Sequence, residues 1–467
     1  MTAAMYIIAI IAVAIVIFML IKKMDIKITL LLMGIVLMFV GAAMGHPIVE
    51  ESTGLIVLDP LMVIANTFKS TVSNAGFIIL ILGGYSAYMS AIKANEVTVY
   101  ALTKPIRKIK NVYVLVPIVF LIGNLLSLVI PSASNLAIIL LATLYPIMIE
   151  SGMSTLTAAG IVATTATIVP TPLGSDNVAI AAELANTAQF AGMTASDYVF
   201  SYHAKVSVPV LLLMAVVHFF WQRFCDKQNP EQAMTEAGGE AVKAPEGGAL
   251  YKTVYAILPL LPIILLIVTY IFTSATGVKL TLSVEVAALF SFLAAIICEL
   301  IRTRNGRETL KATENFFKGM GDAMPIVALL VAGTIFVTGL KQIGLIAELQ
   351  NSMLAIQGSG LGFVLPLILV GLTALIVLLS GSGTALFFAM VPLMVPLAGA
   401  AGISPIAVSI PMGLAGNLLR AVSPVSAVVM IVAGSVKREP LQIVKRTSVP
   451  MLVGVVAMFI LSMVMFL

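Results

Sequence analysis

Charged residues are scarce in this sequence. Of its 467 residues, 26 are Lys or Arg and 21 are Asp or Glu, so 10% of the chain is charged and 60% is apolar. A soluble globular protein carries about 25% charged residues. The composition therefore excludes a soluble protein and predicts an integral membrane protein with many spans. The net charge of +5, confined to short clusters between apolar runs, also argues against a nucleic-acid partner.

Cysteine is equally rare, which limits the chemistry available. Cys225 and Cys298 cannot form a disulfide framework and do not have the spacing of metal ligands. The sequence also lacks a phosphate-binding glycine loop, an HExxH motif and a nucleophile elbow. We therefore expect no enzymatic activity, no drive by ATP, no metal and no bound cofactor.

The apolar runs are about 17–22 residues long and unbroken, which suits transmembrane helices and excludes an outer-membrane β-barrel. The first run, 5–21, is followed by Lys22 and Lys23, without a charged region before it or a small-residue cleavage site after it. We expect it to be a retained helix rather than a signal peptide. The predicted fold class is an all-α polytopic membrane protein.

The two halves of the chain resemble each other at an offset of about 250 residues. Matching segments follow in the same order, among them Phe68-Lys69 and Phe317-Lys318, Thr171-Pro172 and Ser423-Pro424, and Lys205-Val206-Ser207-Val208-Pro209 and Arg446-Thr447-Ser448-Val449-Pro450. We interpret the chain as an internal duplication. The first copy is 1–222, the second copy is 250–467, and the polar segment 223–252 is a linker between them.

The charge pattern indicates that one copy is inverted. In the first copy, loop 45–75 is acidic and loop 93–111 is basic, whereas the loop that matches the acidic one, 302–322, is basic. Basic loops stay in the cytoplasm. The linker is therefore predicted to be cytoplasmic and both termini external, with the copies in opposite orientations, as in inverted-repeat transporters.

Such an inversion requires an odd number of spans in each copy. In each copy we therefore predict a re-entrant hairpin followed by a span that is broken in its middle. The tips are 131–135 and 380–384, and the breaks are 170–177 and 420–424. This inverted repeat has about ten transmembrane helices plus two re-entrant hairpins, with broken helices at the midplane.

The same interpretation divides each copy into two parts. The scaffold part comprises 1–112 and 253–361. The transport part comprises 113–222 and 362–467, and its first segment contains the hairpin 113–150, the broken helix 155–190 and the helix 205–222.

Irregular backbone at membrane depth needs burial, a cavity or a ligand, because its N–H and C=O groups lack partners. For a single break, small residues that permit close helix packing would be a sufficient explanation. Four breaks paired by a repeat instead predict a substrate site to which helix N-termini present partial positive charge. The predicted substrate-binding residues are Ser132, Ser134, Asn135, Ser382, Gly383, Thr384, Asn417, Arg420 and Ser423.

Two charged residues lie in these segments. Arg420 could hold a carboxylate through two parallel hydrogen bonds, or it could snorkel or cap a helix. Asp176, with Ser175 and Asn177, is the predicted coupling-ion site, because a carboxylate at this depth takes a proton or ligates a cation. The alternative for Asp176 is a helix N-cap, and the two roles are compatible. The coupling ion would be H⁺ or Na⁺.

Several segments resemble a known family. They include Gly83-Gly84-Tyr85-Ser86-Ala87-Tyr88-Met89, His218-Phe219-Phe220-Trp221-Gln222-Arg223, Ser380-Gly381-Ser382-Gly383, Asn417-Leu418-Leu419-Arg420 and Ser423-Pro424-Val425-Ser426. Over nearly its whole length, the chain resembles the anaerobic C4-dicarboxylate carriers of the DcuC type, within the ion-transporter superfamily.

The resemblance implies a secondary carrier of succinate, fumarate and malate in the bacterial cytoplasmic (inner) membrane, working by cation-coupled symport, efflux or exchange. It also implies a homodimer in which the transport part moves as an elevator against the scaffold part. The alternatives are a carrier of another small carboxylate or an amino acid, and an anion channel.

Overall fold

The computed structural model describes residues 2–22, 24–49, 51–104, 106, 109, 111–128, 130, 132–228, 247–278, 280, 282–348, 362–381 and 383–467. Within these ranges every regular element is a helix and none is a strand. An α-helix satisfies its backbone groups within one segment, which is what long apolar runs require in a bilayer. The predicted all-α polytopic fold is confirmed.

The first copy begins with five helices of the predicted scaffold part. They are α1 (Thr2–Ile21), α2 (Ile26–Ala43), α3 (Asp59–Thr71), α4 (Phe77–Ala91) and α5 (Ala94–Thr103). A π-helical turn, Val72–Gly76, joins α3 to α4. The helices that follow are α6 (Val112–Ser127), α7 (Ala133–Glu150), α8 (Thr155–Ala163), α9 (Ser175–Ala185), α10 (Ala195–Tyr198) and α11 (Ala204–Gln228).

The second copy repeats this order. Its scaffold helices in the described residues are α12 (Ala249–Ile257), α13 (Leu261–Thr276), α14 (Val284–Thr303), α15 (Gly306–Ala312) and α16 (Glu314–Gln342). The later helices are α17 (Val364–Ser380), α18 (Gly383–Ala401), α19 (Pro405–Arg420), α20 (Ala427–Ser435) and α21 (Pro440–Phe466).

Nine helical stretches of the described chain are long and apolar enough to cross a bilayer. They are α2, α3–α4, α7, α10–α11, α12–α13, α14, α15–α16, α18 and α21. Shorter apolar helices are Met5–Met19 within α1, α6 and α17. Of the nine stretches, α7 and α18 are arms of the predicted hairpins, and α1 and the two broken helices supply the remaining predicted spans.

Helix breaks occur in both copies where proline and glycine interrupt the apolar pattern. The gap between α8 and α9 contains Pro170 and Pro172, and the gap between α19 and α20 contains Pro424. Proline lacks the N–H group that a helix interior needs and so disfavours a helix through these residues, although other prolines, among them Pro117 and Pro450, lie inside helices. The irregular backbone at these two points is what brings polar groups to the middle of the molecule.

The predicted linker boundary at 223 is wrong, because α11 continues to Gln228. The apolar pattern ends near Phe224, but the helix extends beyond it and includes Asp226, which is buried. Residues 229–246 of the predicted linker lie outside the described residues.

Helices of the two copies pack against each other reciprocally. The second hairpin arm of the first copy, α7, contacts α20, and its counterpart α18 contacts α9. In the predicted scaffold part α2 packs on α16, α14 packs on α4, and α4 and α16 pack on each other. This exchange of partners is the pattern that a two-fold relation between the copies produces.

Glycines let the scaffold helices approach to backbone contact. A Cβ atom on Gly83 of α4 would lie 2.8 Å from the carbonyl oxygen of Gly319 on α16, and one on Gly319 would lie 2.6 Å from that of Gly83. A Cβ on Gly339 would lie 2.7 Å from the carbonyl oxygen of Gly34 on α2. Small residues at helix interfaces permit this spacing, which fixes α2, α4 and α16 relative to one another.

Candidate functional site

A cavity of about 750 Å³ lies where the two hairpin tips and the two breaks meet. Tip residues on its wall are Ser132, Ala133, Ser134, Ser380, Gly381, Gly383, Thr384 and Ala385. Residues of the broken helices on its wall include Ala166, Val169, Gly174, Ser175, Asp176, Asn417, Arg420, Val425 and Ala427. The structure thus brings together the four irregular segments that the sequence singled out.

The other side of the cavity is formed by the predicted scaffold part. Ile79, Leu82 and Gly83 of α4 and Ala323 and Ile326 of α16 line it. These residues are apolar, whereas the tips and breaks present hydroxyl, amide and charged groups. The cavity therefore has an apolar wall and a second wall, called the polar wall, in which these polar groups lie beside apolar residues such as Phe387 and Val428, and it lies between the two predicted parts.

Four helices begin at this cavity, because the first residues of α7, α9, α18 and α20 all line it. The first N–H groups of a helix have no partner inside the helix and carry partial positive charge. Ser132 and Ser426 cap α7 and α20 by accepting from the N–H groups of Asn135 (3.3 Å) and Val429 (3.4 Å). The remaining N-terminal charge suits a bound anion.

The Arg420 guanidinium joins the two breaks. It ends α19, and its Nη2 donates to the carbonyl oxygen of Ala166 at 2.9 Å. Ala166 has φ +58°, in the left-handed region that non-glycine residues seldom adopt. A guanidinium has five N–H donors, so this bond fixes the side chain while leaving a fork that a carboxylate can engage.

Asp176 lies in the first turn of α9. Its carboxylate accepts from the backbone N–H of Asn177 (3.0 Å) and from the side-chain amide of Asn417 (3.2 Å). The N-cap residue of α9 is Gly174. Asp176 is the second residue of the helix, so its carboxylate accepts from a helix N–H group without being the N-cap itself. Asp176 and Arg420 thus share one cavity, with Asn417 linking the acidic group to the helix that carries the arginine.

Some predicted site residues lie away from the cavity wall. The side-chain amide of Asn177 donates to the carbonyl oxygens of Val169 (3.1 Å) and Thr171 (2.9 Å), and so holds the first break in shape. Ser423 is fully buried and its hydroxyl donates to the carbonyl oxygen of Leu378 (3.1 Å). These bonds favour structural roles for both residues.

Two further predicted residues are not placed at the cavity by the structure. The side chain of Asn135 is exposed and does not line the cavity. Ser382 lies outside the described residues.

Asn124 of α6 is a supporting residue that the sequence reasoning missed. Its side chain is buried, and its carbonyl oxygen accepts from the backbone N–H groups of Thr167 (3.3 Å) and Ile168 (3.4 Å). These groups belong to the first break, next to Ala166. The signal was an amide inside an apolar run, because a polar side chain at membrane depth needs a partner.

A polytopic all-helical chain with paired hairpin tips and broken helices around a central cavity has the architecture of a membrane transporter. Comparison with known proteins identifies the family. The profile of the DcuC family, described as "C4-dicarboxylate anaerobic carrier", matches residues 3–467. The chain belongs to this family.

Two relatives illustrate the similarity. The anaerobic C4-dicarboxylate transporter DcuC of Escherichia coli O6:H1 is 36% identical over 437 residues, which cover 92% of this chain and 90% of that protein. The probable anaerobic C4-dicarboxylate transporter DcuC of Vibrio cholerae is 35% identical over 442 residues, covering 93% and 92%. Because these relatives are named as transporters, the prediction of a transporter rather than an enzyme is confirmed.

Solved structures share the fold. The YdaH transporter of Alcanivorax borkumensis superposes with a TM-score of 0.66 at 17% identity, covering 94% of this chain and 97% of that one. MtrF of Neisseria gonorrhoeae superposes with a TM-score of 0.59 at 15% identity, covering 94% and 95%. At this identity the likeness concerns the fold alone.

Proposed function

We propose that this protein is a secondary active transporter of C4-dicarboxylates such as succinate, fumarate and malate. The observation that carries the proposal is the position of Arg420, held in the cavity by Ala166 at the meeting point of both breaks. Membership of the DcuC family, whose relatives are named as C4-dicarboxylate transporters, supports the substrate class.

A dicarboxylate suits the polar wall of the cavity. The fork of Arg420 would hold one carboxylate through parallel charge-assisted hydrogen bonds. The hydroxyls of Ser132, Ser134 and Thr384, which line the same cavity, together with the N-termini of their helices would receive the other. Neutral donors in the tips can release a substrate more readily than a second fixed cation would.

Asp176 is proposed to couple transport to an ion. A dicarboxylate brings two negative charges into a cavity that already contains this carboxylate, and like charges repel strongly in a low-dielectric site. The loaded state therefore requires Asp176 to be protonated or paired with Na⁺. By linkage, substrate binding then raises the affinity for the coupling ion.

The apolar wall supports an elevator motion of the transport part against the scaffold part. Ile79, Leu82, Gly83, Ala323 and Ile326 offer no directional bonds, so a polar face that moves past them breaks no hydrogen bonds to these side chains. The proposal includes a homodimer in the bacterial inner membrane, a cytoplasmic linker and external termini.

Counterflow in proteoliposomes tests the function. Vesicles loaded with unlabelled succinate should accelerate uptake of labelled succinate, because an alternating-access carrier exchanges substrates. An anion channel shows no such trans-stimulation. Competition by fumarate, malate, monocarboxylates and amino acids, with and without Na⁺, then defines the substrate class. Competition by an amino acid or a monocarboxylate with no competition by fumarate or malate would contradict the proposed substrate.

Asp176→Asn tests the coupling. The amide mimics the protonated carboxyl group, so succinate counterflow should persist while stimulation of uptake by a pH or Na⁺ gradient is lost. An undiminished response to the same gradient would place the coupling site elsewhere.

A further inference from the structure

A buried ion pair holds three helices of the transport part together. Arg446 of α21 is 2% exposed, and its Nη1 donates to Asp226 of α11 at 2.6 Å. The same Nη1 contacts the Thr157 hydroxyl of α8 at 3.1 Å. The pair therefore connects helices of both copies at a single point.

Hydroxyl groups around the ion pair also bond to the Asp226 carboxylate. The hydroxyls of Ser154 and Thr157 donate to it at 2.9 Å and 3.0 Å, and the Gln222 amide donates to the backbone oxygen of Arg446 at 2.8 Å. A Cβ on Gly160 of α8 would lie 2.8 Å from the Cβ of Arg446, so the glycine allows α21 to pack this closely. Ser154 also caps α8, so the network fixes the start of the helix that leads into the first break.

The neighbouring residue reaches the second break. Thr447 is fully buried, and its hydroxyl donates to the carbonyl oxygen of Ala421 at 2.7 Å. Ala421 directly follows Arg420, at the end of α19. The carbonyl oxygens of Leu418, Leu419 and Arg420 accept from the N–H groups of the next turn at 3.0–3.3 Å, whereas the carbonyl oxygen of Ala421 accepts from Thr447. The Thr447 hydroxyl, which also lies 3.1 Å from the carbonyl oxygen of Val444 in its own helix, is therefore a donor to the first residue after α19.

We infer that Arg446 and Thr447 are positioning residues for the substrate site. Arg446 fixes the start of α8, which leads to Ala166, and Thr447 fixes the residue after Arg420. Adjacent residues on one rigid helix thus set the distance between the two breaks, across which the Arg420–Ala166 bond forms. The inference rests on the proposed function, because it assigns Arg420 to the substrate.

Thr447→Val tests this positioning role with little change in the shape of the side chain. Removing the hydroxyl leaves the Ala421 carbonyl without its partner, and a buried unpaired carbonyl shifts to find another. The KM for succinate in proteoliposomes should rise about tenfold, while the maximal rate per inserted molecule changes little. Thr447→Ser keeps the hydroxyl and should retain the wild-type KM.

Two further variants complete the experiment. Ser448→Ala removes a half-buried hydroxyl that donates to the carbonyl oxygen of Lys445 in its own helix, and it should change neither KM nor thermal stability. The double variant Arg446→Met with Asp226→Leu replaces the ion pair by apolar groups of similar size; it should fold and should also raise the KM. If Thr447→Val does not accumulate in the membrane, Thr447→Ala compared with Thr447→Ser makes the same test.

The outcomes separate the inference from the function it rests on. Wild-type protein that shows no succinate counterflow contradicts the proposed function itself. Wild-type counterflow together with an unchanged KM in Thr447→Val and in the double variant overturns the positioning role. A fall in melting temperature without a change in KM would show a purely structural brace and likewise overturn it.

Discussion

The two ends of the predicted transport part differ in chemistry at positions that the predicted repeat pairs. At the linker end, formed by the start of α8, the end of α11 and the start of α21, Arg446 is buried against Asp226. At the opposite end the matching residue of the first copy, Lys205, is exposed. The basic residue of this motif is therefore buried in an ion pair in the second copy and exposed in the first.

Buried hydroxyls near the two ends also have different partners. Thr157 of α8 donates to Asp226 (3.0 Å), whereas Ser409 of α19 donates to the carbonyl oxygen of Ile406 in its own helix (3.2 Å) and lies 3.5 Å from the hydroxyl of Tyr198. Neutral groups pack at the opposite end, and charges are paired at the linker end. Positions that the predicted duplication pairs thus differ in chemistry, and the two ends should respond differently to the same kind of substitution.

Removing one member of the buried pair should have the largest effect. Arg446→Ala or Asp226→Ala leaves an uncompensated charge in the interior, at a cost of about 3–5 kcal/mol. Lys205→Ala, at the equivalent exposed position, should change stability by less than about 0.5 kcal/mol. Thermal unfolding of the detergent-purified protein measures both. Equal losses at the two positions would mean that the ends are held in the same way.

The hairpin tips are a second pair of equivalent positions that differ. Gly383 begins α18, and a Cβ there would lie 2.4 Å from the carbonyl oxygen of Gly416; its counterpart Ala133 already carries a Cβ. Gly383→Ala should destabilise the protein by about 1–3 kcal/mol and strongly reduce succinate transport. Gly399→Ala, on the same helix with open space around it, is the control. Normal transport by Gly383→Ala would show that the second tip can move without loss.

A hydroxyl at each end gives the smallest contrast. Ser154 caps α8 and donates to Asp226, so Ser154→Ala should cost about 1–2 kcal/mol of stability. The Ser207 hydroxyl at the opposite end is buried without a hydrogen-bond partner among the described residues, so Ser207→Ala should be within about 0.5 kcal/mol of neutral. Melting temperatures of the two variants decide the comparison. The reverse order would contradict the assignment of the brace to the linker end.

Much of the fold could be predicted from the sequence because its signals are local. Apolar runs, proline and glycine indicate where helices begin, end and break. The gaps between helices overlap the predicted tips and breaks, but the first gap, 164–174, begins before the predicted break at 170–177, of which 175–177 are helical. The repeat then implied that breaks far apart in the chain converge. Convergence of the breaks in turn predicts that Arg420 and Asp176 lie near one site.

The rest depends on side-chain partners that a linear pattern does not reveal. Asn177 and Ser423 had the polar character of ligands, yet both bond to backbone carbonyls that the breaks leave unpaired. The sequence pattern places Asp226 in the polar linker 223–252, because its partner Arg446 is 220 residues away in the chain. For Asn124 the sequence shows only one amide side chain inside an apolar run, which does not identify its partners. The role of a residue that supports a site depends on its partners in the folded structure. The sequence shows which polar groups are present but not which groups they bond to.

The central claim is that Arg420 binds a substrate carboxylate, and Arg420→Lys tests it most directly. Lysine keeps the charge but loses the planar fork. Succinate uptake into proteoliposomes should show a KM raised about tenfold or more, with normal insertion of the protein, while Arg307→Lys at an exposed position leaves it unchanged. A wild-type KM and maximal rate in Arg420→Lys would contradict the account.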